Sequence, residues 1–178
     1  MKKIFLNTTL ISFLLIGFSG CLGEDISCSE ETVQELVKEL TQEDITNNIF
    51  LMKYQNGDYG ETNMVTSSMI MGANGNIEVL HNFLGGYGET GEDLANSIYG
   101  KLLEGKKELV KSLTLDSISL DTFLTTAKDK ELSKVECTAT INISHESNTY
   151  SFNTEYTAQL TDDKEQVYVE VVSLTNNK

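Results

Sequence analysis

The chain contains no proline, no tryptophan and no arginine among its 178 residues, and all 13 of its basic residues are lysine. Without arginine, it lacks the planar fork that grips phosphate in two-point contacts. The 27 acidic residues outweigh the lysines and leave a net charge of −14, so a phosphate backbone is repelled and nucleic acid is excluded as a partner class. An anionic bilayer is repelled for the same reason, and attachment to a membrane has to come from something other than surface charge. Histidine is nearly missing too: His81 and His145 are the two. A metal or acid–base site built on them would need the pair to converge, and nothing in their spacing brings them together.

Long apolar runs are also scarce. The longest, from Ile4 to Ile16, is interrupted by Asn7, Thr8, Thr9 and Ser12 and is too short to span a bilayer. It follows Lys2 and Lys3 and ends in small residues, the layout of an export signal. Phe18-Ser19-Gly20-Cys21 then resembles the lipobox of bacterial lipoproteins. Ser19, Gly20 and Cys21 fit that pattern, and Phe18 stands where leucine is usual. The resemblance implies a signal peptide over residues 1–20, cleavage before Cys21, and a diacylglycerol thioether on that cysteine. Two or three acyl chains would hold an acidic protein at a membrane where one would hold it only marginally. Leu22, in place of aspartate after the cysteine, resembles an outer-membrane destination in enteric-type Gram-negative bacteria. The expected location is therefore the cell envelope, by a lipid anchor. A plain secretory signal cut nearby is the alternative, and would leave Cys21 as a free thiol.

Once Cys21 is assigned to lipid, Cys28 and Cys137 remain of the three cysteines. In an oxidising envelope they are expected to pair, closing a loop of 109 residues; two buried, inert thiols are the competing expectation. Isolated cysteines at this separation do not form a zinc site.

Behind a tether at residues 21–27, residues 28–178 are long enough for one hydrophobic core. A helix is expected near Ser29, with Val33, Leu36, Val37 and Leu40 on one face. Thr41 and Asp44 read as a fresh capping box, so a second helix is expected with Ile45, Ile49 and Met52 buried and Asn56-Gly57 as its stop. Residues 57–91 hold eight of the 13 glycines. They read as the least regular and most mobile part, with the apolar runs Met64–Met71 and Ile77–Leu84 either short strands or helical turns. A binding surface made of loops would lie here. Thr90 and Asp93 read as the start of another helix, striped by Leu94, Ile98, Leu102, Leu109, Val110 and Leu113, with a break expected at Gly105.

From Ile118 the apolar period changes from 3.6 to 2. Ile118, Leu120, Thr122 and Leu124 form one expected strand. Val135, Cys137, Ala139, Ile141 and Ile143 form the clearest one and place Cys137 on a buried face. A turn at His145–Asn148, with His145 solvated, leads to Tyr150, Phe152, Tyr156, Ala158 and Leu160; a turn at Asp162-Asp163 leads to Val167, Val169 and Val171. The expected fold is α+β: N-terminal helices packed on a C-terminal antiparallel meander of three to four strands, comparable to the cystatin-type or nuclear-transport-factor-type wrap of a sheet around a helix. The cysteine-led first helix, the cysteine in a meander strand, and the stretches Tyr156–Asp163 and Tyr168–Val171 together resemble small uncharacterised envelope lipoproteins, a group that implies this fold and no particular activity.

No motif for catalysis is present. There is no Gly-x-Ser-x-Gly, and Gly85-Gly86-Tyr87-Gly88 and Gly72-Ala73-Asn74-Gly75 are turns that match no phosphate-binding loop. Asn56, Asp58 and Glu61 lack the calcium-loop pattern. No catalytic residue, metal site or cofactor is therefore expected. Met64, Met69 and Met71 are either core filling or an adaptable binding surface. The expected function is a non-catalytic interaction module with a protein partner, in an inhibitor, immunity, exclusion or assembly-type role. A small-ligand carrier with a pocket between helix and sheet is the alternative, and a hydrolase using paired carboxylates is a third.

Overall fold

A computed structural model describes residues 26–60 and 64–177. The expected export signal, Cys21 and most of the expected tether lie outside the described residues. Four helices come first: α1 (Glu31–Gln55), α2 (Met64–Gly72), α3 (Ile77–Gly85) and α4 (Glu89–Ser112). A single 3₁₀ turn at Leu115–Ser117 leads into four strands, β1 (Ile118–Asp129), β2 (Lys134–His145), β3 (Asn148–Leu160) and β4 (Val167–Asn176). The strands form one antiparallel meander in the order β1-β2-β3-β4, and the fold is α+β as the change of period implies.

The expected pair of N-terminal helices is one helix of 25 residues. Thr41 does not cap a new helix; its hydroxyl donates to the Val37 carbonyl at 2.7 Å, one turn back, and Thr46 does the same to Gln42. A threonine satisfied in this way can sit inside a helix, and no glycine lies nearby to break it. The helix stops where expected, with Asn56 as C-cap and Gly57 at φ 85°.

α1 packs on one face of the sheet. Ile45, Ile49 and Phe50 from the helix meet a core that includes Ile141, Ile143, Phe152 and Tyr156, all at most 1% exposed. Cys28 and Cys137 form a disulfide with Cα atoms 5.7 Å apart, tying the residues ahead of α1 to the second strand. Beside it the Tyr156 hydroxyl donates to the Cys28 carbonyl at 2.7 Å, a buried bond that fixes the same junction.

Gly105 does not interrupt α4. The ring of Tyr59 lies on it, so close that a Cβ there would meet the ring's Cε1 at 2.6 Å. The glycine is spent on a packing contact rather than a helix break, and the roughly 1 kcal/mol propensity cost is offset by the burial of Tyr59. The buried face of α4 is Ala95, Tyr99, Leu102, Lys106 and Leu109; Leu94 and Val110, expected in that stripe, are half exposed. The helix also begins at Glu89 behind Gly88, without a side-chain cap from Thr90.

β1 departs from simple alternation. Ile118 and Leu120 are buried, but an extra residue is inserted between Asp121 and Leu124, with Thr122 at φ 54°. A one-residue bulge flips the side chains that follow it to the other face, here until a further extra residue at Thr126 shifts the register again. Phe123 therefore packs against the core and Leu124 turns out to solvent. A third bulge falls on β4 between Val171 and Ser173 and brings Leu174 inward opposite Thr154.

Burial raises the Tyr59 and Tyr156 phenols to about 12, with Asp58 adding to the effect at Tyr59. The folded state thus holds these protons more tightly than the unfolded chain, whose phenols ionise near 10. The resulting stability is fully present below pH 10 and is lost as pH rises towards 12. Urea midpoints measured from pH 9 to pH 11.5 are expected to fall steadily above pH 10. A flat profile would mean that the two rings are solvated.

Candidate functional site

Three features outside the core could carry chemistry. The first is a groove on the open face of the sheet, opposite α1, with a volume of about 390 Å³. Thr122, Leu124, Thr138, Thr140, Asn153, Glu155, Ser173 and Thr175 line it, in rows set by the pairing of Leu124 with Thr138, Thr138 with Glu155, and Glu155 with Ser173. The bulges at Thr122 on β1 and Val172 on β4 lie at its two edges, where they bend the outer strands. It holds one carboxylate and no imidazole, and it lies on the face away from the helices.

The second is at the end of α4. His145 is buried, not solvated as the turn position implied, because β2 runs under the last turn of α4. Its Nε2 is 2.8 Å from Ser112 Oγ, and its Nδ1 is 4.0 Å from the Glu146 carboxylate. The order serine, histidine, carboxylate is that of a hydrolytic triad, but the hydrogen bonding runs the other way. Ser112 donates its single proton to the Leu109 carbonyl at 2.8 Å, so it receives a proton from the imidazole instead of delivering one. Glu146 is engaged by Lys53 at 2.9 Å, which holds its carboxyl below the usual carboxylate range. Nδ1 has no hydrogen-bond partner among the described residues. The arrangement closes the end of the helix on the hairpin and does not activate a nucleophile.

His81 bonds Asn96 Oδ1 at 2.9 Å, near the start of α4. The two histidines are thus separated by most of that helix, about 24 Å at 1.5 Å per residue, and do not converge. Asp163 accepts from Thr161 and from the Glu165 backbone, as a turn aspartate does, and these bonds lower its carboxyl. Among the described residues no group of three metal-ligating side chains is present, and no helix is long and apolar enough to cross a membrane.

The third feature is the surface of α2 and α3 with the first turns of α4. The segment expected to be irregular is two helices, joined by the turn at Asn74-Gly75 and ended before Gly88. In α3, Asn76 caps the Val79 amide, and Ile77, Leu80 and Leu84 pack inward. Val79 and Phe83, one turn apart, point outward and are 57% and 60% exposed. Tyr87 follows at 70% exposed, its ring edge-on to Phe83 at 5.7 Å. A helix apolar on both faces is ordinarily buried; this one has a partner on one side only.

α2 buries Ile70 in the core but leaves most of its other apolar side chains outside. Thr66 is buried and Ser67 bonds the Tyr54 hydroxyl of α1 at 2.8 Å, while Met64 and Val65 are 84% and 67% exposed. Met69 and Met71 are also exposed, their sulfurs accepting from Tyr99 and Gln55. Of the thirteen large apolar side chains exposed among the described residues, eight lie between Met64 and Leu94. That concentration goes beyond the scattered apolar residues normal on a surface.

Two contacts hold the surface in place. Gly91 lets the start of α4 press on the Leu84 carbonyl, where any Cβ would collide. Lys106, buried on α4, reaches the half-exposed Glu78 of α3 at 2.6 Å. Removing either partner of this pair has different consequences. Glu78→Ala strands a buried ammonium and is expected to cost about 2–3 kcal/mol, less than a fully buried pair because Glu78 is partly solvated. Lys106→Met leaves only a solvated carboxylate and is expected within about 1 kcal/mol of the parent. Urea denaturation of the two variants reads the asymmetry, and equal losses would contradict it.

No protein-family model matches the chain, and no curated protein or solved structure matches it significantly. The apolar surface was legible only as the methionine cluster and the run Ile77–Leu84. The exposure of Met64 and Val65 on α2 carried no separate signal in the sequence.

Proposed function

We propose that this protein is a non-catalytic binding module, held at a cell envelope by lipid on Cys21 and presenting the α2–α3 surface to a protein partner. The observation that supports it is the clustering of eight exposed large apolar side chains on two short helices and the start of a third. Exposed patches of this kind on a folded domain mark interaction sites. The layout of the N-terminus supports the anchor. Cys28 is fastened to β2 only seven residues after Cys21, so the fold would stand within about 25 Å of the bilayer at full extension of the tether. In a Gram-negative cell the outer membrane is the proposed location.

The packed interface between α1 and the sheet favours this reading over a small-ligand carrier. Ile45, Ile49, Phe50, Phe152 and Tyr156 fill it, and the groove lies on the other face.

The test uses the full chain expressed in a bacterium that processes lipoproteins. Cys21→Ser is expected to move the chain out of the membrane fraction, and intact-mass analysis of the parent is expected to show the acyl groups. A photo-crosslinking residue in place of Phe83 is expected to give a discrete protein adduct in the envelope, and one in place of Leu124 is not. An unacylated parent, or equal labelling at the two positions, would overturn the reading.

A further inference from the structure

From Tyr54 to Gly100 the sequence has six acidic residues and not one lysine or arginine. This stretch of 47 residues contains all of α2, α3 and the first half of α4, and so the whole apolar surface. The lysine just before it, Lys53, is committed to Glu146; Lys106, which reaches into it, is buried against Glu78. With Glu78 compensated by Lys106 and Lys101 the first exposed cation beyond the stretch, the apolar side chains stand beside acids of one sign, Glu89, Glu92 and Asp93 flanking Tyr87 and Leu94 in the chain.

That field selects among occupants. A second copy would bring the same acids face to face, and like charges across an interface oppose association. An anionic lipid surface is repelled in the same way. A segment that is apolar on one side and basic on the other satisfies both halves of the surface. An amphipathic helix places its apolar side chains at i, i+3, i+4 and i+7 and its lysines around them, and it docks on such surfaces through a few anchors. Val79, Phe83 and Tyr87 supply firm aromatic and branched contacts, and Met64, Met69 and Met71 supply unbranched thioethers that adapt to the side chains they meet.

We infer that the α2–α3 surface, with the first turns of α4, is a docking site for a cationic amphipathic helix of a partner protein. This rests on the binding-module reading and names the chemistry of its partner.

The probe is a helical peptide of leucine and lysine carrying one tryptophan. The protein has no tryptophan, so the peptide's indole is the only one in the sample. Titrated with the full chain at a fixed concentration of neutral detergent, indole emission is expected to shift to the blue beyond the shift given by the detergent alone, saturably and with micromolar affinity. A leucine–glutamate peptide of the same pattern is expected to bind at least about 10-fold more weakly, since rejecting the wrong charge is a matter of complementarity. Val79→Ser with Phe83→Ser is expected to weaken the lysine peptide about 10-fold or more, as loss of central anchors does. Leu124→Ser with Val172→Ser, on the sheet, is expected to leave it unchanged. Equal affinity for the two peptides, no effect of the α3 variant, a dimer that the α3 variant dissolves, or adsorption to anionic vesicles through this surface would each overturn the inference. If Phe83 crosslinks to a partner in the envelope but the lysine peptide does not bind, the partner chemistry fails and the module stands. If neither occurs, both fail.

Discussion

Replacing both Cys28 and Cys137 by serine is expected to lower the unfolding free energy by about 4–5 kcal/mol, through the entropy regained by a 109-residue loop in the unfolded chain. At the scale of a 150-residue domain that is roughly 10–18 °C in Tm. The double substitution is the informative variant, because a single one leaves an unpaired thiol. Reduction of the parent protein should reproduce the same shift, measured by urea denaturation with and without dithiothreitol. If reductant leaves the midpoint where it was, the bridge contributes nothing and packing alone carries the fold. Cys28 is buried beside Thr125 and Tyr156, so the serine variant also puts a hydroxyl where sulfur was, and a loss beyond the reduced parent measures that packing difference.

Phe50→Ala is expected to cost about 3–5 kcal/mol, the range for deleting a fully buried aromatic ring. Phe50 is completely buried on α1 and stacks with Tyr59 at a centroid distance of 4.9 Å. Tyr59 in turn lies on Gly105 of α4. The cavity would therefore remove the support of the ring that spaces α1 from α4. Beyond the loss of stability, amide exchange in α4 near Gly105 is expected to speed up more than in β2 or β3. Uniform acceleration would show that the effect is global destabilisation without this route.

The meander was legible because its signal is redundant. In β2, Val135, Cys137, Ala139, Ile141 and Ile143 alternate without exception, and all five are buried. β1 offered the same alternation through Leu124 and misled, since a bulge is specified by how the strand meets its neighbour rather than by its own residues. A capping box and a back-bonded threonine have the same local sequence, so the residues of α1 spell two helices where one forms. Gly105 was read as a break for a similar reason: its partner, Tyr59, is 46 residues away in the chain. His145 followed a strand into a turn, and only the docking of α4 buries it. The candidate site was half visible. Its methionines and its lack of lysine are matters of sequence, whereas which face of α2 points outward depends on Tyr54 and the helix it belongs to.

The disulfide also decides where mechanical tension goes. α1 starts at Glu31, three residues after Cys28. Without the bridge, a pull on the residues ahead of Cys28 would feed straight into the first turn of that helix and peel it from the sheet. With the bridge, the strain leaves the main chain at Cys28 and enters β2, which is flanked by β1 on one side and β3 on the other. The first turn of α1 then stands outside the stretched path, so a pull on the residues ahead of Cys28 loads the middle of the sheet before it loads the helix.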